Sequence, residues 1–292
     1  MDLKEYIKSK RDTLSTSSIS TYASLLKNIY LKVFTDDATM DFEKFNDTEA
    51  ILTSIKDLPP NKRKTLLSAL FVVTSNKKYQ ELMLQDIQSY VKETEAQEKT
   101  ETQKANWVET DELKAIVKEH KTYADTLYKK PKKSVADLQS IQNYIILSLF
   151  SGEYIAPRRS KDYVDFKIKN INKETDNYLD GNNLVFNSFK TAKTYGQQIV
   201  PIPAKLKAIL KKWIALNETD YLLFDTNANQ LTNVKLTQRF NKIFGKKASI
   251  NALRHTFLTD KFGDTVQQKK DIDETMTGMG SSKSMLTTYV KK

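Results

Sequence analysis

The segment 92–105 places the strongest constraint on how this chain folds. It reads Lys-Glu-Thr-Glu-Ala-Gln-Glu-Lys-Thr-Glu-Thr-Gln-Lys-Ala, and it holds almost no side chain that a core could bury. Apolar residues recur at regular spacing before it and after it. The chain of 292 residues is long enough for two domains of ordinary size. We therefore predict a domain of residues 1–100 and a domain of residues 105–292, joined by a linker or by a polar extension of the preceding helix.

The first domain carries the signals of helices. Ser15 is a suitable N-cap for a stretch whose apolar residues recur at the helical period, and Pro59-Pro60 stands where a second helix would begin. A third stretch, residues 79–91, shows the same period. No glycine occurs before Gly152, which favours a compact helical domain.

The second domain combines helical patterns with short runs of strand type. Thr110 is a candidate N-cap, and residues 183–186 and 198–202 are strand-like, with a turn containing Gly196 between them. We predict a fold that is mainly α with a small β-sheet. The predicted helices of this domain include residues 139–150, residues 203–216 and much of the chain after Leu231.

The charge is distributed unevenly between the two parts. Residues 1–100 hold equal numbers of basic and acidic side chains, so the net charge of +11 belongs entirely to residues 101–292. This asymmetry indicates a polyanionic partner, and double-stranded DNA is the first choice. The alternative is a solvated, lysine-rich surface. We interpret the basic loop at residues 129–133 in that second way.

The composition excludes several classes of site. The chain has no cysteine, which removes disulfides, thiolate nucleophiles and cysteine-bound metals. It has two histidines, His120 and His255, so we expect no histidine-rich metal centre. The chain contains no apolar run of membrane-spanning length, and its charged N-terminus is unlike a signal peptide. We expect an intracellular protein without a membrane or metal partner.

Arginines stand in two short motifs. One reads Pro157-Arg158-Arg159-Ser160 and the other reads Leu-Arg-His-Thr around Arg254. A guanidinium presents a rigid fork of donors and keeps its charge at any useful pH, which suits a phosphate ligand. An isolated Arg-Arg pair is more often a salt bridge or a surface patch. The residues that follow decide between these interpretations.

A lysine motif and a tyrosine motif complete the series. Lys190 and Lys193 lie between the two predicted strands, in the order Lys-Thr-Ala-Lys. Near the end of the chain a Met-Gly-Ser-Ser turn ends at Ser282 and precedes Tyr289 by a few residues. A tyrosine alone would mean little, since the chain has 14 of them. Its place after two arginine motifs and a lysine makes Tyr289 a candidate nucleophile.

The order arginine, lysine, arginine, Met-Gly turn and tyrosine resembles the tyrosine recombinase family, also called phage-integrase-like, and in particular its viral and mobile-element members. The resemblance covers nearly the whole chain, with the specific motifs in its second half. It implies a two-domain architecture, in which residues 1–100 form a helical core-binding domain that contacts DNA and residues 105–292 form the α+β catalytic domain.

The resemblance also implies a role for each motif residue. Tyr289 would attack a phosphodiester and form a 3′-phosphotyrosyl bond, while Arg158 and Arg254 hold the phosphate and Arg159 is the adjacent alternative to Arg158. Lys190 would protonate the leaving 5′ oxygen, with Lys193 as the second choice. The bond energy of the diester is retained, so this chemistry requires no cofactor or metal.

Two positions depart from the family pattern. Asn251 and Ser281 stand where the family usually has a histidine, or in the second case a histidine or tryptophan. Either side chain can form a hydrogen bond to a phosphate, but neither is a base at neutral pH. His255 follows the second arginine, and a structural role is favoured for it. Lys283 is an alternative donor near the turn, and we place His255 and Lys283 with Arg159 and Lys193 among the predicted DNA contacts.

The function predicted from the resemblance is that of a site-specific DNA recombinase or integrase, acting as a homotetramer on paired duplex sites. Two alternatives remain open. One is a topoisomerase-like enzyme that nicks and closes DNA, and the other is a DNA-binding protein that keeps the fold with weakened or no activity. The expected location is the cytoplasm of a prokaryote, or the nucleus or viral factory of a eukaryotic host.

Overall fold

The computed structural model describes residues 2–34 and 40–291. The chain divides into two compact units, Met1–Lys99 and Thr100–Lys292. The predicted fold class, mainly α with a small β-sheet, is confirmed by the elements of the two units.

In the described residues of the first unit, all the regular elements are helices. Ser15 caps α2, because its side chain accepts a hydrogen bond from the backbone N–H of Ser18 at 3.1 Å. Pro60 is the first residue of α4, where its missing N–H costs nothing. The helices are α1 Leu3–Lys10, α2 Thr16–Val33, α3 Thr48–Ile55, α4 Pro60–Thr74 and α5 Lys77–Glu95, with a 3-10 helix at Phe42–Asn46.

The second unit contains the strands and the candidate motifs. Its helices are α6 Glu101–Asn106, α7 Thr110–Tyr128, α8 Val135–Phe150, α9 Ser160–Val164, α10 Ala192–Tyr195, α11 Ala204–Ile214, α12 Asn233–Phe244, α13 Ile250–Gly278 and α14 Leu286–Tyr289. Its strands are β1 Phe166–Lys167, β2 Asn177–Asp180, β3 Asn183–Phe186 and β4 Gln198–Pro201, and a 3-10 helix covers Lys283–Met285.

The sheet has the order β1-β2-β3-β4, with β1 parallel to β2 and the other pairs antiparallel. The predicted hairpin is formed by β3 and β4, in a register that pairs Phe186 with Gln198. Its connection includes α10, and Gly196 ends that turn with a φ of 66°. The sequence did not indicate β1 or β2, because β1 is two residues long and β2 reads Asn-Tyr-Leu-Asp.

One helix start differs from the prediction. The N-cap of α7 is Glu109, which forms a reciprocal capping box with Glu112, and Thr110 is the first helical residue. A carboxylate at this position accepts backbone N–H groups as a hydroxyl does, and its charge interacts favourably with the helix N-terminus.

The core of the second unit is built around α8. Nearly every residue of its C-terminal half is buried, including Ile145, Ile146 and Phe150. The Phe150 ring packs edge-on against Tyr163 at 5.0 Å and against Phe240 at 5.5 Å between ring centroids. Burial of aromatic rings in this geometry stabilises the fold beyond the area that it removes from water. It also fixes the C-terminal end of α8, from which the Arg158 segment leaves.

Gly152 is the point at which the chain turns toward that segment. Its φ is +84°, and a Cβ added there would lie 2.4 Å from Cδ2 of Phe257. We expect Gly152→Ala to lower the free energy of unfolding by about 2–3 kcal/mol, from overpacking and backbone strain together. Gly181 is the control, because its φ is +57° and its Cβ would meet open space.

The control variant Gly181→Ala should lower the free energy of unfolding by only about 1 kcal/mol, because it introduces the unfavourable backbone conformation without a steric clash. Urea unfolding of both variants measures the difference. Equal losses at the two glycines would show that Phe257 does not press on this turn.

Helix α13 is unusually long, with 29 residues. Its first turns are anchored in the core by Ile250, Leu253 and Thr256, and the Thr256 hydroxyl donates to the backbone oxygen of Val108 at 2.6 Å. Beyond Thr256 the next buried residue of the helix is Met276. Among the described residues, no helix has the length and apolar character needed to cross a membrane.

Candidate phosphate-binding and nucleophile sites

Arg158 is held where β3 and β4 meet the connection between them. Its Nε donates to Oδ2 of Asp162 at 2.8 Å, and its Nη1 donates to Oε1 of Gln198 at 2.8 Å. The guanidinium carbon lies 4.0 Å from the centroid of the Phe186 ring and 5.3 Å from that of Phe189. The side chain is therefore fixed by α9, β3 and β4 together, and it can receive an anion without reorganising.

Asp162 provides the carboxylate beneath this arginine. The residue is 2% exposed, and its Oδ1 has no hydrogen-bond partner among the described residues. Burial raises the pKa of Asp162 above its ordinary value, while the charges of Arg158, Arg159 and Arg254 act in the opposite direction. Its position four residues after Arg158 is the helical spacing that allows the ion pair.

The charges of Arg254 and Arg159 also act on this carboxylate. Arg254 lies in the second turn of α13, and Arg159 is the N-cap of α9. Burial lowers the pKa of Arg254, and the neighbouring positive charge of Arg159 lowers it further. Within residues 2–34 and 40–291, neither guanidinium has a hydrogen-bond or ion-pair partner. The site therefore has more positive charges than the single buried carboxylate can neutralise. Such a surplus of cationic donors suits a phosphate ligand.

The pairing of Arg158 with Asp162 gives a stability prediction. Arg158→Ala leaves the buried carboxylate without its counter-charge, so we expect a loss of about 3–5 kcal/mol in the free energy of unfolding. The double variant Arg158→Ala/Asp162→Ala removes the stranded charge and should recover part of that loss. Chemical denaturation of the two single variants and the double variant measures the coupling. Additive losses would mean that the ion pair contributes nothing.

Lys190 directly follows Phe189, whose ring borders the Arg158 guanidinium. Lys190 lies in the connection after β3, and Lys193 lies in α10. Both side chains are exposed, and neither has a partner among the described residues. Lys190 therefore stands next in sequence to a residue that contacts Arg158, and Lys193 lies further along the same connection.

Tyr289 lies at the C-terminal end of α14 and is 56% exposed. Its hydroxyl is 3.5 Å from the hydroxyl of Ser281, a distance at the outer limit of a hydrogen bond. Ser281 itself is held by its backbone N–H, which donates to the backbone oxygen of Met276 at 2.8 Å. The Lys283 ammonium lies 3.5 Å from Oδ2 of Asp273. Ser281 is therefore near the predicted nucleophile, whereas Lys283 contacts Asp273.

Asn251 and His255 lie in the first turns of α13. Asn251 is exposed and stands three residues before Arg254, which puts the two residues on one face of the helix. His255 is also exposed, and its ring is 6.5 Å from that of Trp107 between centroids. Asn251 can therefore donate to an anion at Arg254, and His255 contacts the start of the second unit.

Several of the predicted residues fall into two separate groups. One is the arginine cluster, which we define as Arg158, Arg159 and Arg254 together with the carboxylate of Asp162, and the other is the pair Ser281 and Tyr289. In the described part of the chain no hydrogen bond or ion pair joins Tyr289 to an arginine. A continuous helix connects Arg254 to Gly278, which at about 1.5 Å per residue separates their backbones by roughly 36 Å.

Two residues of the site were not singled out from the sequence. Asp162 follows the Pro157-Arg158-Arg159-Ser160 motif by two residues, and an acidic side chain four residues after Arg158 is a signal that could have identified it. Gln198 gave no signal, because its contact with Arg158 depends on the β3–β4 register. In the described part of the chain, no group of three or more histidine, aspartate and glutamate side chains is arranged to bind a metal ion.

Comparisons with known proteins give structural matches only. No protein-family model and no curated protein matches the sequence. A XerA recombinase structure is 14% identical, with a TM-score of 0.37 over 88% of this chain and 83% of the other. A lambda integrase dimer bound to a COC′ core site is 14% identical, with a TM-score of 0.46 over 90% of this chain and 72% of the other. A structure of lambda integrase bound to DNA is 13% identical, with a TM-score of 0.44 over 91% and 89%.

These structures bear the names of recombinases and integrases, the class that the sequence motifs resemble. All three structures are 14% identical to this chain or less.

Proposed function

We propose that this protein is a site-specific DNA recombinase of the tyrosine recombinase class, which cleaves and rejoins duplex DNA through a 3′-phosphotyrosyl intermediate. The observation that carries the proposal is the arginine cluster. Arg158 and Arg254 are distant in sequence, yet Arg158 pairs with the buried carboxylate of Asp162 and the charges of Arg254 and Arg159 act on the same carboxylate. A cluster of this kind binds a phosphate and stabilises the additional charge of a pentacoordinate transition state.

The other predicted residues have positions consistent with roles around that phosphate. Arg158 is a fixed anchor, and Arg254 with Arg159 supplies the free donors. Asn251 shares a helix face with Arg254 and can donate one further hydrogen bond to a phosphate oxygen. Lys190 adjoins the cluster on an exposed connection, where an ammonium can reach the leaving 5′ oxygen as a general acid.

Tyr289 is the proposed nucleophile. A tyrosine phenol has an ordinary pKa of about 10, so it reacts efficiently only where positive charge favours the phenolate. The arginine cluster would supply that charge once the hydroxyl reaches it. Ser281, the neighbour of Tyr289, would orient the hydroxyl, and Lys283 is the adjacent cation.

DNA binding is proposed for both units, the first as a core-binding domain and the second as the catalytic domain. The net charge of +11 lies in residues 101–292, so contacts to the phosphate backbone should dominate the affinity. We expect binding to weaken steeply with salt, by about 10³-fold or more between 50 and 200 mM if six or more phosphates are neutralised. Fluorescence anisotropy on a labelled duplex measures the slope, and affinity that does not change with salt would remove DNA as the partner.

A second candidate function is DNA binding without cleavage. Two observations favour it. Tyr289 is separated from the arginine cluster by the length of α13, and positions 251 and 281 hold Asn and Ser where the family usually has histidine. A duplex that carries a nick near the cleavage site distinguishes the two functions. After attack on this duplex, the short strand between the cleavage site and the nick diffuses away, so the strand cannot be rejoined and the protein stays covalently attached to the DNA. A covalent adduct supports the recombinase, and tight binding without an adduct supports the second candidate.

The assembly and the exchange reaction are also proposals. Cutting four strands requires a homotetramer on two duplex sites, whereas a topoisomerase-like enzyme would act on one duplex as a monomer. Transfer of a labelled strand between two different duplexes separates these activities. An adduct without strand exchange would favour the topoisomerase-like reaction.

A further inference from the structure

Asn177 is a buried polar side chain whose hydrogen bonds link two parts of the candidate site. It is the first residue of β2 and is fully buried. Its Nδ2 donates to the backbone oxygens of Asp162 and Ser188, at 2.9 and 2.8 Å. Its Oδ1 accepts from the backbone N–H groups of Asn187 and Ser188, at 2.9 and 2.8 Å. Both donors and both acceptor positions of the amide are therefore used, so the side chain has one fixed orientation.

One end of this link is the helix that carries a residue of the arginine cluster. Asp162 belongs to α9, and its carboxylate accepts from Nε of Arg158 at 2.8 Å. The other end is the connection between β3 and β4. Ser188 is the second residue after β3, and Lys190 comes two residues later. Asn177 therefore ties the backbone of the arginine cluster to the backbone that leads to the proposed general acid.

The residue between Ser188 and Lys190 is also held. The Phe189 ring is buried, and its centroid lies 5.3 Å from the guanidinium carbon of Arg158. Exposed connections are the most mobile parts of a fold unless such contacts restrain them. Because Ser188 and Phe189 are both fixed, the backbone reaches Lys190 from a defined position, while the lysine side chain is exposed and free to extend.

We infer that Asn177 is a positioning residue, which holds the connection after β3 so that the Lys190 ammonium meets the leaving 5′ oxygen of a phosphate at the arginine cluster. The inference rests on the proposed function. Asn177 is fully buried, so it acts through the backbone of Ser188 and not on the substrate. A misplacement of about 1 Å can cost on the order of 10²-fold in rate. Loss of Asn177 should therefore slow the step that Lys190 catalyses and leave DNA binding intact.

The first test is a pair of matched substitutions. Asn177→Ala should slow covalent attachment to the nicked duplex about 10²-fold without changing DNA affinity. The control is Asn217→Ala, which should keep the wild-type rate. Asn217 is also a buried asparagine, and its amide bonds only to residues outside the predicted site, namely Thr219, Tyr221 and Leu222. Both variants are assayed below their unfolding temperatures, so that lost stability alone does not lower the rate.

A second substrate isolates the protonation step. In this duplex a sulfur replaces the 5′ bridging oxygen at the cleaved phosphate. Attack by the Tyr289 phenolate forms an O–P bond and breaks the P–S bond, and the electron pair leaves on sulfur as a thiolate. A thiol has an ordinary pKa of about 8.5, so this leaving group needs no proton from Lys190. Relative to wild type, Asn177→Ala should recover nearly all of its loss of about 10²-fold, as Lys190→Ala should.

A third measurement does not depend on cleavage. The chain has no cysteine, so Lys190→Cys can carry a single nitroxide label, whose mobility electron paramagnetic resonance reports. The spectral lines should narrow when Asn177→Ala is added and should not change when Asn217→Ala is added. If Asn177→Ala does not fold, Asn177→Asp takes its place in all three tests. The aspartate keeps the shape and the acceptor oxygen of the amide and loses both donors.

The outcomes separate this inference from the proposed function. A label at position 190 that is no more mobile without Asn177 would overturn the inference. A loss of rate that the sulfur duplex restores for Lys190→Ala but not for Asn177→Ala would also overturn it, because the defect would then lie elsewhere in the site. The same pattern in Asn217→Ala would reduce Asn177 to a general structural role. If the label becomes mobile but the wild type forms no adduct on either duplex, the anchoring of the connection stands and the proposed cleavage fails.

Discussion

Tyr289→Phe is expected to abolish covalent attachment to DNA while DNA affinity and folding stay unchanged. The substitution removes one hydroxyl, which is exposed and whose neighbour is the Ser281 hydroxyl at 3.5 Å. A contact of that length contributes little to stability. The same hydroxyl is the proposed nucleophile, so the rate of adduct formation should fall on the order of 10⁴-fold or more, to background.

The matched control is Tyr195→Phe. Tyr195 is 67% exposed in α10, and it stands in the connection that bears Lys190. It should retain the wild-type rate within about twofold, as expected for an exposed surface substitution. Both variants are assayed on the nicked duplex by denaturing electrophoresis. Adducts formed by Tyr289→Phe would show that another residue attacks the phosphate.

Arg254→Ala should produce the second largest loss. Arg254 has no hydrogen-bond or ion-pair partner in the described chain, and burial together with Arg159 already disfavours its charge. Its removal should therefore leave the free energy of unfolding nearly unchanged or slightly raised. The transition state, however, loses a forked donor in a preorganised site, which costs about 3–4 kcal/mol, or 10²–10³-fold in rate.

Two further variants test the geometry of this donor. Arg254→Lys keeps the charge and loses the fork, so its rate should lie between those of wild type and alanine. Arg159→Ala should lose less than Arg254→Ala, because Arg159 is exposed. Single-turnover rates on the nicked duplex measure all three. Equal small losses at Arg158, Arg159 and Arg254 would reduce the cluster to an ordinary DNA-binding patch.

Most of the long helices were predictable, because local chemistry determines where they begin and which faces they bury. Ser15 and Pro60 act at helix starts as their types require, and apolar periodicity marked the buried faces. Strand β2 was not predictable, because it depends on a tertiary contact. The side chain of Asn177 is buried and donates to the backbone oxygens of Asp162 and Ser188 at 2.9 and 2.8 Å, so a polar residue holds this strand in place.

The residues of the candidate site also differ in how far the sequence could predict them. The order of the motifs predicted the arginines as site residues, whereas the contact of Gln198 with Arg158 depends on strand register. The continuity of α13 through Gly263 was beyond prediction for the opposite reason, since local propensity there argues against a helix.

The most direct test of the proposed function is to identify the residue that carries DNA after cleavage. Trypsin cuts after Lys283 and Lys291, and the peptide 284–291 between them contains Tyr289 as its single tyrosine. After reaction with the nicked duplex and digestion of protein and DNA, mass spectrometry should find a nucleotide on this peptide, linked through a 3′ phosphate. A nucleotide on a different peptide, or no nucleotide on any peptide while the protein binds duplex DNA tightly, would contradict the proposed function.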